Sequence, residues 1–189
     1  MTTDVQSIAA AIRAGGVIAY PTEGVWGLGC DPENETAVER ILSLKGRRRE
    51  QGLVLLAANE AQLAPFIKPL PAAMARRIRA AWPGPVTWIV PAADGCPDWL
   101  TGGRNTLAVR VSAHPPARDL ALAAGTALVS TSANRHDEKP ARDVPSLRAL
   151  FGNALDAVLE APLGDAAGPS EIRNAETGKV LRAATTDRP

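Results

Sequence analysis

Leu107-Ala108-Val109-Arg110-Val111, then Pro115 to Ala124, then Ala127-Leu128-Val129-Ser130: these three consecutive stretches hold the pattern of the whole chain. In the first, Leu107, Val109 and Val111 point one way and Ala108 and Arg110 the other, the period of a strand, which reads as Thr106 to Val111. The second opens on proline, which suits the first turn of a helix, where its missing N–H costs nothing. The third is again a short apolar run, a buried strand. Extended and helical patterns alternate in the same way on both sides, which predicts an α/β or mixed α+β fold.

Upstream, Val5 to Ala14 reads as a helix ended by Gly15-Gly16, and Val17 to Tyr20 as a strand. Pro21 to Pro32 reads as a glycine-rich loop. Glu35 to Lys45 is a helix with Asn34 as its cap and Gly46 as its stop. Leu53 to Ala57 and Val86 to Val90 are strands, with a helix from Pro71 to Trp82 between them. Downstream come a helix at Val144 to Phe151, a strand at Ala157 to Glu160, and a hairpin pairing Ser170 to Asn174 with Lys179 to Arg182. Asp165 to Pro169 reads as the most mobile internal loop and Ala184 to Pro189 as a frayed tail. No repeat or long linker interrupts the 189 residues, so one domain, 1–189, is expected.

Composition narrows the function classes. Hydrophobic residues are 46% and charged residues 22%, which excludes wholesale disorder. The net charge of +1 excludes a strongly basic nucleic-acid coat, so any polyanion site is a local patch. Aromatics at 4% argue against a base-stacking platform. Cys30 and Cys96 stand apart, which excludes a disulfide scaffold and a cysteine zinc site, and reads as a reduced, cytoplasmic protein with no membrane partner. With only His114 and His136, a histidine triad or multi-histidine metal site is not expected. Neither a P-loop nor a Rossmann glycine motif is present. Any chemistry must rest on positioning and electrostatics.

Three places could supply it. Val38, Ile41 and Lys45 share one helix face, so Lys45 points inward and needs an anionic partner. Gly46 lets the chain turn, so Arg47 can aim at the same place, while Arg48 and Arg49 read as a solvated helix end. On the strand before His114, Ala108 beside Arg110 leaves either room for a ligand or an ordinary surface arginine. Ser130-Thr131-Ser132-Ala133-Asn134, after its strand, is either a polar turn or a cradle for phosphate, ribose or carboxylate.

Read in order, Tyr20-Pro21-Thr22-Glu23, Gly27-Leu28-Gly29-Cys30-Asp31, Lys45-x-Arg47, Trp82-Pro83-Gly84-Pro85-Val86-Thr87, Leu107 to Val111, Ser130 to Asn134 and Pro169-Ser170-Glu171-Ile172-Arg173 resemble the YrdC/TsaC family of threonylcarbamoyl-AMP synthases, in its short single-domain bacterial form. The likeness runs from Gly16 to about Arg182. It implies an α/β fold on a twisted mixed sheet with flanking helices and a broad concave groove. It implies a nucleotidyltransferase that turns L-threonine, bicarbonate and ATP into threonylcarbamoyl-AMP and pyrophosphate. The partner implied is a transfer enzyme complex that modifies tRNA, with room for a weak direct tRNA contact. Mg2+ would be held mainly by the phosphates.

The same resemblance assigns Lys45 and Arg47 to catalysis, and these two with Ser130, Ser132 and Asn134 to the nucleotide. It assigns Thr22, Arg110, His114 and Ser170 to threonine. Thr87 could equally be structural. The chain departs from the family at Gly24, Trp26, Arg48, Gln51 and Arg135-His136-Asp137. Two rivals remain: an RNA-binding module, and a paralogue acting on another carbamoyl substrate, although the latter's cysteine pairs are missing.

Overall fold

Asp4 starts the first helix, α1 (Val5–Arg13), by accepting the N–H groups of Gln6 and Ser7 at 3.0 and 3.1 Å. The computed structural model describes residues 2–135 and 138–184. Strand β1 (Ile18–Pro21) follows, then β2 (Trp26–Gly29). The second is a correction, because its glycines read as loop. Glycine is a weak strand former, but here the neighbour requires it: a Cβ on Gly29 would lie 2.7 Å from the Tyr20 ring. β1 and β6 (Leu128–Ser132) pair with β2 on its two sides and satisfy its backbone.

Helix α2 (Glu35–Lys45) begins at Asn34, whose side chain accepts the Ala37 N–H at 3.0 Å. It ends where Gly46 takes a φ of 60°. The Gly46 N–H then bonds Ser43 O and the Arg47 N–H bonds Leu42 O, a Schellman closure. The remaining elements are β3 (Val54–Ala57), α3 (Ala72–Arg79), β4 (Val86–Pro91), α4 (Asp98–Thr101), β5 (Thr106–Val111), α5 (Pro115–Ala124), α6 (Val144–Phe151), β7 (Ala157–Val158), β8 (Glu171–Asn174) and β9 (Val180–Arg182). The α3 helix is shorter than its pattern, and α4 was not legible. β7 stops at Val158, leaving Leu159 an isolated bridge to Thr2. β6 runs on through Ser132, so Ser130-Thr131-Ser132 lies on the strand and not after it.

All nine strands form one mixed sheet in the order β7-β1-β2-β6-β3-β5-β4-β8-β9. One face is covered from β7 to β4. Leu28, Leu55, Val129, Val109 and Trp88 pack there against Val38 and Ile41 of α2, Ile78 of α3, Leu100 of α4 and Phe151 of α6. The other face is covered at one end only. Ile18, Tyr20, Leu56 and Leu128 lie under Ile8 and Ile12 of α1 and Leu120 of α5. Beyond them the face is open, and registers fix what it displays. Gly27 pairs with Ser132; Val54 pairs with Ser130 and Ala108; Ala108 pairs with Ile89; Thr87 pairs with Ile172, and Ile172 with Arg182. Residues paired across strands share a face, so Gly27, Val54, Ser130, Ser132, Ile172 and Arg182 lie on the open face with Arg110 and line a groove.

The 165–169 loop is tied down. Gly164 and Ala166 donate to the carbonyls of Thr22 and Glu23 at 3.0 and 2.8 Å, and Arg142 donates to Ala167 O at 3.2 Å. Except for Ala184, the expected frayed tail lies outside the described residues, as do His136 and Asp137 of the departure after Asn134. Among the described residues no helix is long and apolar enough to cross a membrane.

Candidate active site

The open half of the sheet holds two adjoining cavities of about 130 and 180 Å³, which share Thr22, Arg110, Pro169 and Ser170 as walls. Arg47, Ser130, Ser132 and Arg182 line the first. Glu23, Glu171 and Arg173 line the second. The groove therefore runs across the sheet face.

Lys45 and Arg47 leave α2 on different errands. Lys45 is only 5% exposed, and its Nζ donates to Ser132 O at 2.5 Å, Asn134 O at 2.8 Å and Asn134 Oδ1 at 2.9 Å. Its partners are neutral oxygens and not the expected anion. Burial, with Arg47 nearby, lowers its pKa to about 8. It clasps the Ser132–Asn134 segment and is absent from the cavity wall, which Arg47 helps to form. The Arg47 guanidinium rests on Gly52 O at 2.7 Å, and its buried Nε has no partner. Arg48 is exposed as expected. Arg49 is not simply solvated: it pairs with Glu35 and Glu39 at 2.9 and 3.1 Å and lies over the Trp99 ring.

Asn134 spends its whole side chain inside the protein. Oδ1 accepts from Lys45 and from Ser132 Oγ at 2.6 Å, and Nδ2 donates to Arg135 O and Glu138 O. It shapes the wall through Ser132. Ser130 is buried and lines the groove. Thr22 Oγ donates to Val25 O at 2.8 Å, which turns its methyl toward Gly27. Ser170 Oγ bonds Thr87 Oγ1 at 2.8 Å, and Thr87 itself is wholly buried, a support and not a wall.

Arg110 is 5% exposed, so it is no surface arginine. Its Nη1 lies 3.1 Å from Glu23 Oε2. His114 does not wall either cavity: its Nε2 faces Pro162 O at 3.0 Å, and its N–H donates to Ser112 Oγ at 3.1 Å. The ring is drawn to the segment that precedes the 165–169 loop.

Four charged residues of the cavity walls, Glu23, Glu171, Arg173 and Arg182, had no role in the sequence reading. Arg182, the last residue of β9, lines the groove and donates to Ser170 O at 2.7 Å. Glu23 lay inside a quoted motif without a function. Only strand register brings Arg182 opposite Ile172, and no local pattern announces that. Burial first, then like charge, lowers the pKa of Arg47 (from Arg182 and Arg104) and of Arg182 (from Arg110). Arg47, Arg110 and Arg182 gather positive charge on one hollow, chemistry that suits a polyanion.

The Sua5/YciO/YrdC family model, which carries the description "Telomere recombination", matches residues 10–184. The chain belongs to this family. A threonylcarbamoyl-AMP synthase of Halorhodospira halophila is 54% identical over 178 residues, covering 94% of this chain and 93% of the relative. One of Nitrosococcus oceani is 53% identical, covering 94% and 96%. Among solved structures, P. abyssi Sua5 complexed with L-threonine superposes with a TM-score of 0.88 at 28% identity. That match covers 95% of this chain but 54% of Sua5, so the chain spans about half of that protein. E. coli YciO superposes at 0.84 with 25% identity, covering 97% and 90%. Lys45, Ser132 and Asn134 meet in one hydrogen-bonded cluster, with Arg47 and Ser132 presented to the groove.

Proposed function

We propose that this groove makes threonylcarbamoyl-AMP from L-threonine, bicarbonate and ATP. The observation that carries the reading is the convergence of Arg47, Arg110 and Arg182 on one polar hollow, in a chain half identical to threonylcarbamoyl-AMP synthases over nearly its full length. The threonine amine adds to bicarbonate carbon and water leaves, giving N-carboxythreonine. Its new carboxylate oxygen attacks the α-phosphorus of ATP, and the bond to pyrophosphate breaks. Neither step needs a protein nucleophile, so the residues act by alignment and charge.

Arg47 and Arg182 bind the triphosphate and neutralise the charge that builds on departing pyrophosphate. Ser130 and Ser132 offer hydroxyls to the nucleotide. Lys45 and Asn134 hold that wall in place. Arg110 takes the threonine carboxylate, with Thr22 and Ser170 closing the pocket; His114 reaches it only through its backbone bond to Ser112. Among the described residues no cluster of three His, Cys, Asp or Glu is placed to hold a metal. Magnesium fits as an ion carried in by the phosphates, where it supplies further charge neutralisation. The product then passes to a transfer enzyme complex acting on tRNA.

The test is mass-spectrometric detection of threonylcarbamoyl-AMP from purified protein, with threonine, bicarbonate or ATP omitted in turn and tRNA present or absent. Product that needs all three substrates and no tRNA supports the reading. Its absence with folded protein, alongside tight tRNA binding, would favour the RNA-binding module.

A further inference from the structure

The side chain beside Arg110 has no part in the chemistry above, yet its surroundings are built with care. Glu23 lies in the turn between β1 and β2, and its side chain is 12% exposed. Its carbonyl accepts the Ala166 N–H at 2.8 Å. The next residue is Gly24, where a Cβ would come within 2.2 Å of Gly168 O. Backbone thus packs directly on backbone, and the turn has no freedom to shift the carboxylate. Glu23 Oε1 accepts from Ser112 Oγ at 2.7 Å, and Ser112, wholly buried, accepts in turn from the His114 N–H at 3.1 Å. The other oxygen, Oε2, faces Arg110 Nη1 at 3.1 Å and has no hydrogen-bond donor of its own.

We infer that Glu23, anchored by Ser112, is a positioning residue that fixes the Arg110 guanidinium before an amino-acid carboxylate arrives. This rests on the reading of Arg110 given above. A free arginine side chain has many rotamers, and ordering it on binding weakens affinity. A buried guanidinium without a counter-charge is also costly. Glu23 answers both: its carboxylate meets Arg110 Nη1, while the arginine lines both cavities. The arrangement has a second consequence. Removing Arg110 alone leaves a buried carboxylate facing the carboxylate of the substrate. The loss in Arg110→Ala therefore includes repulsion from Glu23, which a further Glu23→Gln change relieves.

The experiment compares four proteins, namely wild type, Glu23→Gln, Arg110→Ala and the double variant, in steady-state synthesis of threonylcarbamoyl-AMP with thermal unfolding alongside. Glu23→Gln should raise the KM for threonine roughly tenfold. Its kcat and its KM for ATP should stay within about twofold. The double variant should use threonine several-fold better than Arg110→Ala. Should Glu23→Gln fail to fold, Ser112→Ala, which frees Oε1 and leaves the ion pair, should raise the threonine KM about threefold without moving kcat. A kcat loss with unchanged threonine KM, or a double variant no better than Arg110→Ala, would overturn the inference while leaving Arg110 in its role. An Arg110→Ala protein with wild-type threonine KM would sink that role and this inference together.

Discussion

On β6, Leu128 and Ser130 lie two residues apart and point to the same side of the sheet, yet they live in different surroundings. Leu128 is sealed under α1 and α5 with Ile18, Tyr20 and Leu56. Ser130 opens on a groove with Arg47 and Arg182. The same division runs along β3, where Leu56 is covered and Val54 lines the groove. One continuous surface thus does two jobs, and the boundary is set by where α1 and α5 end. The covered half is held by apolar burial, which is non-directional and stabilises the chain. The open half leaves charged and polar groups partly unpaired, which stabilises nothing until a ligand comes. Tyr20 marks the border: burial pushes its pKa up to about 12, although Ser130 and Arg110 lie near enough to pull it down.

That division can be broken on either side. The largest effect on stability should come from Leu56→Ala, fully buried in the covered half: a loss of about 2–5 kcal/mol by denaturant unfolding. Turnover per folded molecule should stay within about twofold, and a selective loss of turnover would mean that the two halves are not separate in function. Arg47→Ala should do the reverse. Single-turnover product formation should fall by about two to three orders of magnitude, with the unfolding midpoint little changed. A rate near wild type would show that the arginine rim does not serve the triphosphate.

The Lys45 clasp should sharpen the comparison through pH. Its pKa is depressed from 10.5 to about 8, so the unfolded chain holds this proton more tightly than the folded one. The contribution of Lys45 to stability should therefore rise as pH climbs from about 8 towards 10.5. Turnover should fall over the start of that range, because the ammonium that holds three oxygens of Ser132 and Asn134 is being lost. A pH–rate profile should show an alkaline limb near pH 8 that is missing in Lys45→Met. Identical limbs in the two proteins would remove Lys45 from the explanation. The smallest effect belongs to Arg48→Ala, an exposed neighbour, expected to stay within about 0.5 kcal/mol in stability and unchanged in product formation. A collapse matching that of Arg47→Ala would put the wrong member of the cluster in the groove.

Much of this was legible in the residues. The bounds of α2, β5, α5 and α6 match the patterns that announced them, because caps, prolines and apolar spacing are local. Lys45 turning inward could be read from one helix face, but the expectation that Arg47 aims at the same place fails, because Lys45 is claimed by the oxygens of Ser132 and Asn134 while Arg47 alone reaches the groove. The strand β2 could not be read, since its glycines argue for a loop, and the reason for Gly29, the close approach of the Tyr20 ring and of Val129 O, exists only in the fold. The surroundings of His114 were hidden for a similar reason: its ring meets Pro162 O, distant in sequence.

What the sequence alone determined is what depends on neighbours within a turn or two: the kind of each main element, the inward lysine, the alternation that puts Ala108 and Arg110 on one face, and the ordered motifs that resemble one family. What the tertiary structure alone decided is which charges meet. Arg182 reaches Arg47 and Arg110 through the register of β8 and β9. Glu23 reaches Arg110 through a turn pinned by the 164–168 backbone. Lys45 finds three oxygens nearly ninety residues away, and no anion. Electrostatic partnership acts over a few ångströms of space whatever the separation along the chain, so it becomes visible only once the strands have been laid side by side.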